Sequence, residues 1–403
     1  MRLAVVSPFV DKRHGTERAL AELLERLARV YGCDIHLYSQ RVEDLALSDP
    51  KSAHSAKSGG IFWHKVPSIP GPHLAQFLAW IFLNGFLRKW SVLFGGVSFD
   101  LVLSPGINCL HPDVVIVHAL FHRLQELARE EREAPRLRGN FFRSLHRRAY
   151  YGLLATLERR IYTDEAVSLA AVSQRTAGLL NQYFHRQDAC VIPNGVDTEH
   201  FTPAARLARR AEARQRRSLR DDDFVLLLIG NDLRVKGLPT ILEAMAILSR
   251  SPLRLLAVGN DAAEPFQVSA RELGVAERCL WESPRPDVLD FYGAADVYIS
   301  PSREDSFGLP AAEAMACGLP AITSQFAGIA DYIRNGIEGF IMRDPCDARA
   351  LAALIERLRT DAQLSSGISE AAAKMILEWT WDRNAAAVWQ LLNKARTKKF
   401  SSG

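Results

Sequence analysis

Thirteen short apolar runs recur along the chain, and in the stretches between them hydrophobic residues return every three or four positions. In the first half the runs fall at residues 3–7, 35–39, 61–66, 100–104, 113–118, 169–173 and 190–194. In the second half they fall at 224–230, 254–259, 278–283, 296–302, 320–324 and 339–342. Several, such as "FVLLLIG" and "DVVIVH", are almost wholly apolar rather than alternating, the pattern of parallel strands buried on both faces. Stretches such as "TERALAELLERLARV" and "GLPTILEAMAILSR" predict amphipathic helices between them. Strand–helix alternation predicts a doubly wound α/β fold. Seven runs followed by six predict two such sheets in tandem, with a boundary just after Asn194. The expected domains are therefore 1–194 and 195–382, and the helix at about 383–403 is long enough to cross back to the first.

Length agrees with that division, because 403 residues exceed what one core of usual size accommodates. A composition of 48% hydrophobic and 24% charged residues excludes disorder as the main state. The six cysteines are scattered singly, without a CxxC pair, so neither a zinc site nor a disulfide framework is indicated and a reducing cytoplasm is the expected compartment. "MRLAVVSPFV" reads as a first strand rather than a signal peptide.

The net charge of +4 is mild but unevenly placed. Arginine crowds two runs, Arg206–Arg220 and Arg136–Arg148, which read either as solvated helix faces or as surfaces for phosphate or anionic lipid. No nucleic-acid module is recognisable. Residues 74–96 begin with fourteen uncharged positions, too few to span a bilayer, and continue into Arg88, Lys89 and Trp90. Such a segment suits either a helix buried against the first sheet or one lying in a head-group layer, peripheral on the cytoplasmic membrane face.

In open parallel sheets, ligands bind beyond the carboxyl ends of the strands, near the topological switch point. Three loops in such places carry suitable chemistry. "RHGTER" follows the first run, "NDLRVKG" follows "FVLLLIG", and "REDSFGLPAAE" follows "DVYISPS". Each puts backbone N–H groups or cations at a helix start, which suits a phosphate or diphosphate. Neither GxGxxG after the first strand nor GxxxxGK[ST] occurs, so dinucleotide and P-loop readings lose ground. Pro310 fits the first turn of a helix. Glu313 then lies about one turn in, where it reads equally well as a ribose acceptor or as an acid that only favours the helix start. The acidic run at 221–223 reads as a turn before a strand rather than a metal site.

At this point the chain resembles the family 4 glycosyltransferases, retaining enzymes of the GT-B fold that use nucleotide-sugar donors. "AAVSQRTAGLL", "VIPNGVDTEHFTP", "GNDLRVKGLPTILEAMAIL", "YGAADVYISPSREDSFGLPAAEAMACGLPAITS" and "AGIADYIRNGIEGF" fall in the expected order over nearly the whole chain. The resemblance implies two Rossmann-like domains facing across a cleft, the first on the acceptor side and the second binding the donor. It implies that Gly15 and Thr16 approach the donor phosphate and that His118 lies near the transferred sugar. Lys236, after Gly230, would bind the diphosphate. Asp305 would hold the sugar, and Ser306, Phe307, Gly308 and Leu309 would form the loop around sugar and phosphate. Glu313 would bind the ribose. The sequence departs from the family in two places. Asn231 stands where an arginine usually follows the strand glycine, leaving Arg234 as the candidate second cation. Asp305 stands in place of a glutamate, with Glu304 beside it.

The expected reaction is transfer of a hexosyl unit from a UDP- or GDP-sugar to a glycan or lipid-linked acceptor in cell-envelope polysaccharide or lipopolysaccharide synthesis, without metal or cofactor. A nucleotide-sugar epimerase and a non-catalytic sugar-binding protein are the competing readings. A glycoside hydrolase using Asp305 and Glu313 would need a carboxyl of raised pKa, and a helix start lowers it instead.

Overall fold

A computed structural model of the chain describes residues 1–48, 59–133, 141–285 and 287–401, and for 130–133 and 141–149 it describes the backbone only. Part of the basic run at 136–148 thus lies outside the described residues, and the rest outside the described side chains. Two compact units emerge: Met1–Pro193 with Asn384–Gly403, and Asn194–Arg383.

The first unit is built on a seven-stranded sheet in the spatial order Gly60–Lys65, Asp34–Ser39, Arg2–Val6, Leu101–Pro105, Val114–Val117, Ser168–Ala171, Cys190–Val191. The second holds six strands in the order Cys279–Glu282, Leu253–Val258, Phe224–Ile229, Val297–Ser300, Ala321–Ser324, Phe340–Met342. Every pair in both sheets is parallel. Numbered along the chain within each sheet, both read 3-2-1-4-5-6, the first with a seventh strand added. This is the Rossmann order, and its switch point lies between strands 1 and 4.

All thirteen apolar runs are strands, shortened where local chemistry intervenes. The strand Val297–Ser300 stops before Pro301, and Cys190–Val191 ends near Pro193, since proline has no N–H for the ladder. Ser173 leaves its strand to cap the helix Gln174–Phe184, its Oγ accepting from Thr176 N–H at 3.1 Å. One small element escaped the hydrophobic pattern: Phe9–Val10 pairs in parallel with Arg41–Val42. At two residues each, these strands are too short to show a period. The last helix, Trp381–Ser401, packs on the first unit through a Tyr31–Trp389 ring contact, with Arg396 on Asp100 and Lys399 on Asp113.

The arginine run at 206–220 corrects an expectation. Arg209, Arg216 and Arg220 are exposed, as a solvated face would have them, but the remaining arginines turn inward onto their own fold. On the helix Pro203–Gln215, Arg206 donates to Cys317 O, and Arg210 and Arg214 bind Asp296 at 2.6 and 3.2 Å. Just beyond it, Arg217 joins Glu282 at 2.6 Å to Asp290 at 2.7 Å. The run clamps its helix onto Leu289–Ala294 and the start of the strand Val297–Ser300. Buried guanidiniums are tolerated here because each finds carboxylates and carbonyls that match its planar donors.

Candidate functional site

In the second unit the loops that matter follow the two strands flanking the switch point. The strand Phe224–Ile229 runs into Gly230, and the turn that follows ends at Lys236 and Gly237. A Cβ on Gly230 would lie 3.3 Å from Lys236 Cγ, so the lysine stem lies across that glycine. Gly237 has φ +87°, and a Cβ there would meet Pro301 O at 2.2 Å. Only glycine lets this turn pass so close to the end of the neighbouring strand. A backbone bond from Arg303 N–H to Val235 O, 2.8 Å, ties the two loops together.

Tied in this way, Lys236 Nζ donates to Asp305 Oδ2 at 2.6 Å, with the two side chains 19% and 15% exposed. The Asp305 loop is held from its other side by the segment after the strand Ala321–Ser324. Asp305 N–H donates to Phe326 O at 3.0 Å, and Gly328 N–H donates back to Asp305 O at 2.9 Å. Ile329 N–H reaches Phe307 O at 2.6 Å. Phe307 is buried against Trp379, which also meets Tyr332 edge-on. Partly exposed Ser306 sits between these anchors. Gly308, at φ +93°, caps the helix Leu309–Ala316, so the loop ends with backbone N–H groups at a helix start.

Glu313 lies inside that helix and is 3% exposed. It accepts from Tyr292 Oη at 2.7 Å, and the same hydroxyl lies 3.2 Å from Pro310 O. Burial, reinforced by the Glu313 charge, pushes the Tyr292 hydroxyl well above the usual phenol range, so it remains a donor. Arg234 takes another direction. It is exposed and stacks over the Phe266 ring at 5.8 Å. The structure therefore brings Lys236, Asp305, the loop through Gly308 and Leu309, and the buried Glu313 into one framework, and leaves Arg234 on Phe266.

In the first unit, Gly15 and Thr16 open the helix Gly15–Arg29 and are exposed. Asp11, buried just before them, fixes the turn by accepting from Arg13 N–H at 2.8 Å, His14 N–H at 2.9 Å and the His14 ring at 3.0 Å. Burial works to raise the Asp11 pKa, but these His14 and Arg13 bonds outweigh it and hold the carboxyl below the ordinary range. His118 follows the strand Val114–Val117 on the same carboxyl-end edge of the sheet. Its surface is partly exposed, but protein packed around the ring pushes its pKa down to about 4, so the imidazole is neutral at pH 7. The next helix, Phe121–Glu133, starts on the fully buried Glu158, which accepts from Phe121 N–H at 2.6 Å and His122 N–H at 3.0 Å.

Three of these residues were not legible as parts of a site: Tyr292, Glu158 and Asp11. Asp11 had a signal, an acid shortly before a glycine turn. The other two act across 21 and 36 or more residues of sequence, where spacing carries no information. The acidic turn at 221–223 serves structure, since Asp223 accepts from Arg220 N–H at 2.8 Å and pairs with Arg254. Among the described residues no group of three or more histidine, cysteine or acidic side chains gathers where it could hold a metal.

Two family models match the chain in succession: Glycosyltransferase Family 4 over residues 13–200 and Glycosyl transferases group 1 over 209–375. A D-inositol 3-phosphate glycosyltransferase of Thermobifida fusca (strain YX) is 31% identical over 348 residues, covering 78% of this chain and 75% of the relative. Against the first curated relatives, which bear the same name, the chain spans 57%, 58% and 51% of their length. Among solved structures, WaaG, a glycosyltransferase involved in lipopolysaccharide biosynthesis, aligns with TM-score 0.73 at 20% identity over 92% of this chain and 94% of that one. Anabaena Alr3699/HepE in complex with UDP and glucose aligns with TM-score 0.72 at 16% identity over 98% and 100%. Those likenesses establish the fold as GT-B, and the family matches across both halves place the chain among the group 1 glycosyltransferases of family 4.

Proposed function

We propose that this chain transfers a hexosyl unit from a nucleotide-sugar to an acceptor hydroxyl with retention of anomeric configuration. The observation that carries the reading is the Lys236–Asp305 pair, 2.6 Å apart at the switch point of the second sheet. There a cation for the diphosphate and a carboxylate for the sugar stand side by side. In the reaction the bond from C1 to the diphosphate oxygen breaks and a bond from C1 to the acceptor oxygen forms on the same face. The acceptor proton passes to the leaving diphosphate. Lys236, with amides of the loop ending at Gly308, stabilises the negative charge growing on that leaving group. Such stabilisation needs neither a metal nor a cofactor.

Glu313, held by Tyr292, would accept from the ribose hydroxyls. Neutral His118 would donate a hydrogen bond to the transferred sugar, and Gly15 and Thr16 would approach the donor phosphate. Arg234 would need to leave Phe266 to add a second cation. UDP is the favoured nucleotide because the HepE structure holds UDP and glucose. The favoured acceptor is a glycan or glycolipid of the cell envelope, met at the cytoplasmic membrane face, in line with the lipopolysaccharide role printed for WaaG. A second acceptor, D-inositol 3-phosphate, is favoured by the name of the Thermobifida relative.

The test is a thermal-shift screen of UDP- and GDP-hexoses, followed by mass and NMR analysis of products formed with lipid extracts and with D-inositol 3-phosphate. A stabilising donor and a product one hexose heavier, of unchanged anomeric configuration, are expected. Release of only an epimer or free sugar, or donor binding without turnover, would overturn the reading.

A further inference from the structure

The helix His73–Leu93 carries apolar residues on all sides, yet among the described residues the fold covers only one of them. On the inner side Trp80 and Asn84 are buried, and Phe77, Ile81, Leu83 and Leu87 pack against the core around Tyr38 and Val66. Asn84 turns its amide onto Trp80 O, and Trp80 Nε1 donates to Asn108 O, so this side is fixed. The opposite side shows Leu78, Phe82, Phe86 and Trp90 at four-residue spacing, continued by Leu93 and Phe94. Phe82 is 70% exposed, Leu93 74% and Phe94 70%. At 1.5 Å per residue the stripe from Leu78 to Phe94 is about 24 Å long. A contiguous apolar face of this length marks an interaction surface rather than scattered exposure.

Charge decides among occupants. The helix has no acidic residue, and its only full charges are Arg88 and Lys89. Lys89 is exposed on the apolar side, one residue before Trp90. Phe77 meets Tyr150 on the neighbouring helix Phe141–Tyr162, whose sequence before Tyr150 is itself basic. No described helix is long and apolar enough to cross a membrane. An outward helix face of aromatic and aliphatic residues, with a lysine among them and no acid, suits the boundary between lipid head groups and acyl chains. We propose that the face formed by Leu78, Phe82, Phe86, Trp90 and Phe94 seats this chain on an anionic lipid surface. The helix lies in the plane of that surface, and Lys89 contacts the head groups.

The proposal is independent of the glycosyl-transfer reading, because it is read without donor or acceptor. The full chain is floated with vesicles of phosphatidylcholine alone and of phosphatidylcholine with one-third phosphatidylglycerol, at low and high salt. Binding to the anionic vesicles that salt weakens is expected, together with a blue shift of tryptophan emission. The variant Phe82→Asp/Phe86→Asp/Trp90→Asp should lose at least about tenfold in partitioning at unchanged melting temperature, because the three replaced side chains face outward, their ring contacts being with one another and with Phe94 rather than with the core. Lys89→Glu should weaken binding to anionic vesicles and leave binding to neutral ones unchanged. Absence of wild-type binding at low salt would overturn the proposal. So would equal binding by the triple variant, or a wild-type dimer that the triple variant turns into monomers while neither binds vesicles.

Discussion

Replacing Asp305 by asparagine separates the roles assigned to the central pair. The side chains are nearly isosteric, and asparagine can still accept from Lys236, so the melting temperature should move by no more than a few degrees. The Asp305 carboxylate pairs with Lys236 at 2.6 Å. A phosphate oxygen on the far side of the same ammonium would lie about 5–6 Å from that carboxylate, twice a charge-assisted hydrogen bond. At an effective dielectric constant near 20 this repulsion amounts to roughly 3 kcal/mol. Both side chains retain some exposure, so salt and solvent reduce it to about 1–2 kcal/mol. Removing the charge should therefore tighten UDP binding by roughly tenfold, while transfer falls by on the order of a hundredfold because the sugar loses its charged acceptor.

Calorimetric titration of UDP at two salt concentrations, beside initial transfer rates, reads both effects. The gain in affinity should shrink as salt rises. Lys236→Ala is the opposite control, weakening UDP binding and transfer together. If Asp305→Asn bound UDP no more tightly than wild type, with its melting temperature preserved, Lys236 would not be the diphosphate anchor and the charge argument would fail.

The remaining predictions concern groups around this pair. Glu313→Ala should weaken donor binding and also destabilise the second unit by about 1–3 kcal/mol, because Tyr292 loses its charged acceptor; Tyr292→Phe should give a smaller change in both, measured by denaturation and UDP titration. His118 has its folded pKa depressed to about 4 from the ordinary value near 6.5, so the unfolded chain takes up this proton first as pH falls. Stability should thus decline below about pH 6.5 and lose on the order of 2–3 kcal/mol by pH 4; a His118→Gln variant whose stability–pH curve ran parallel to wild type would refute this. Arg217→Ala removes the cation shared by Glu282 and Asp290 and leaves them only the more exposed Arg285 and Arg216, and should cost about 1–3 kcal/mol in a urea melt.

The sequence made the sheets legible because parallel strands buried on both faces are written as continuous apolar runs, here short and separated by helical periods and turn residues. Strand ends were less legible. Pro301 and Ser173 set them by backbone chemistry that hydrophobicity does not record. The donor loop was legible for a different reason. Pro310, Gly308 and the small residues after them announce a helix start, and the acid eight positions before Glu313 falls at Asp305, the residue that meets Lys236. What no local pattern could supply was the partner of each charged group.

The arginine run at 206–220 makes the point most sharply. Read alone, a helix so rich in arginine suits either a solvated face or an external anion. Its anions are internal, supplied by Asp290, Asp296 and Glu282 from segments about 65 to 90 residues away. A guanidinium is weakly hydrated and planar, so a carboxylate and several carbonyls of its own fold can replace water around it. The apolar helix His73–Leu93 shows the converse. Its covered side and its bare side are equally hydrophobic in sequence, and only packing distinguishes the residues that hold the domain together from those left facing outward. Basic character pointed to a surface where the fold needed a clamp, and apolar character left open both a buried helix and a surface one, where the structure has one covered side and one bare. In both cases the partner, not the residue type, decides the function.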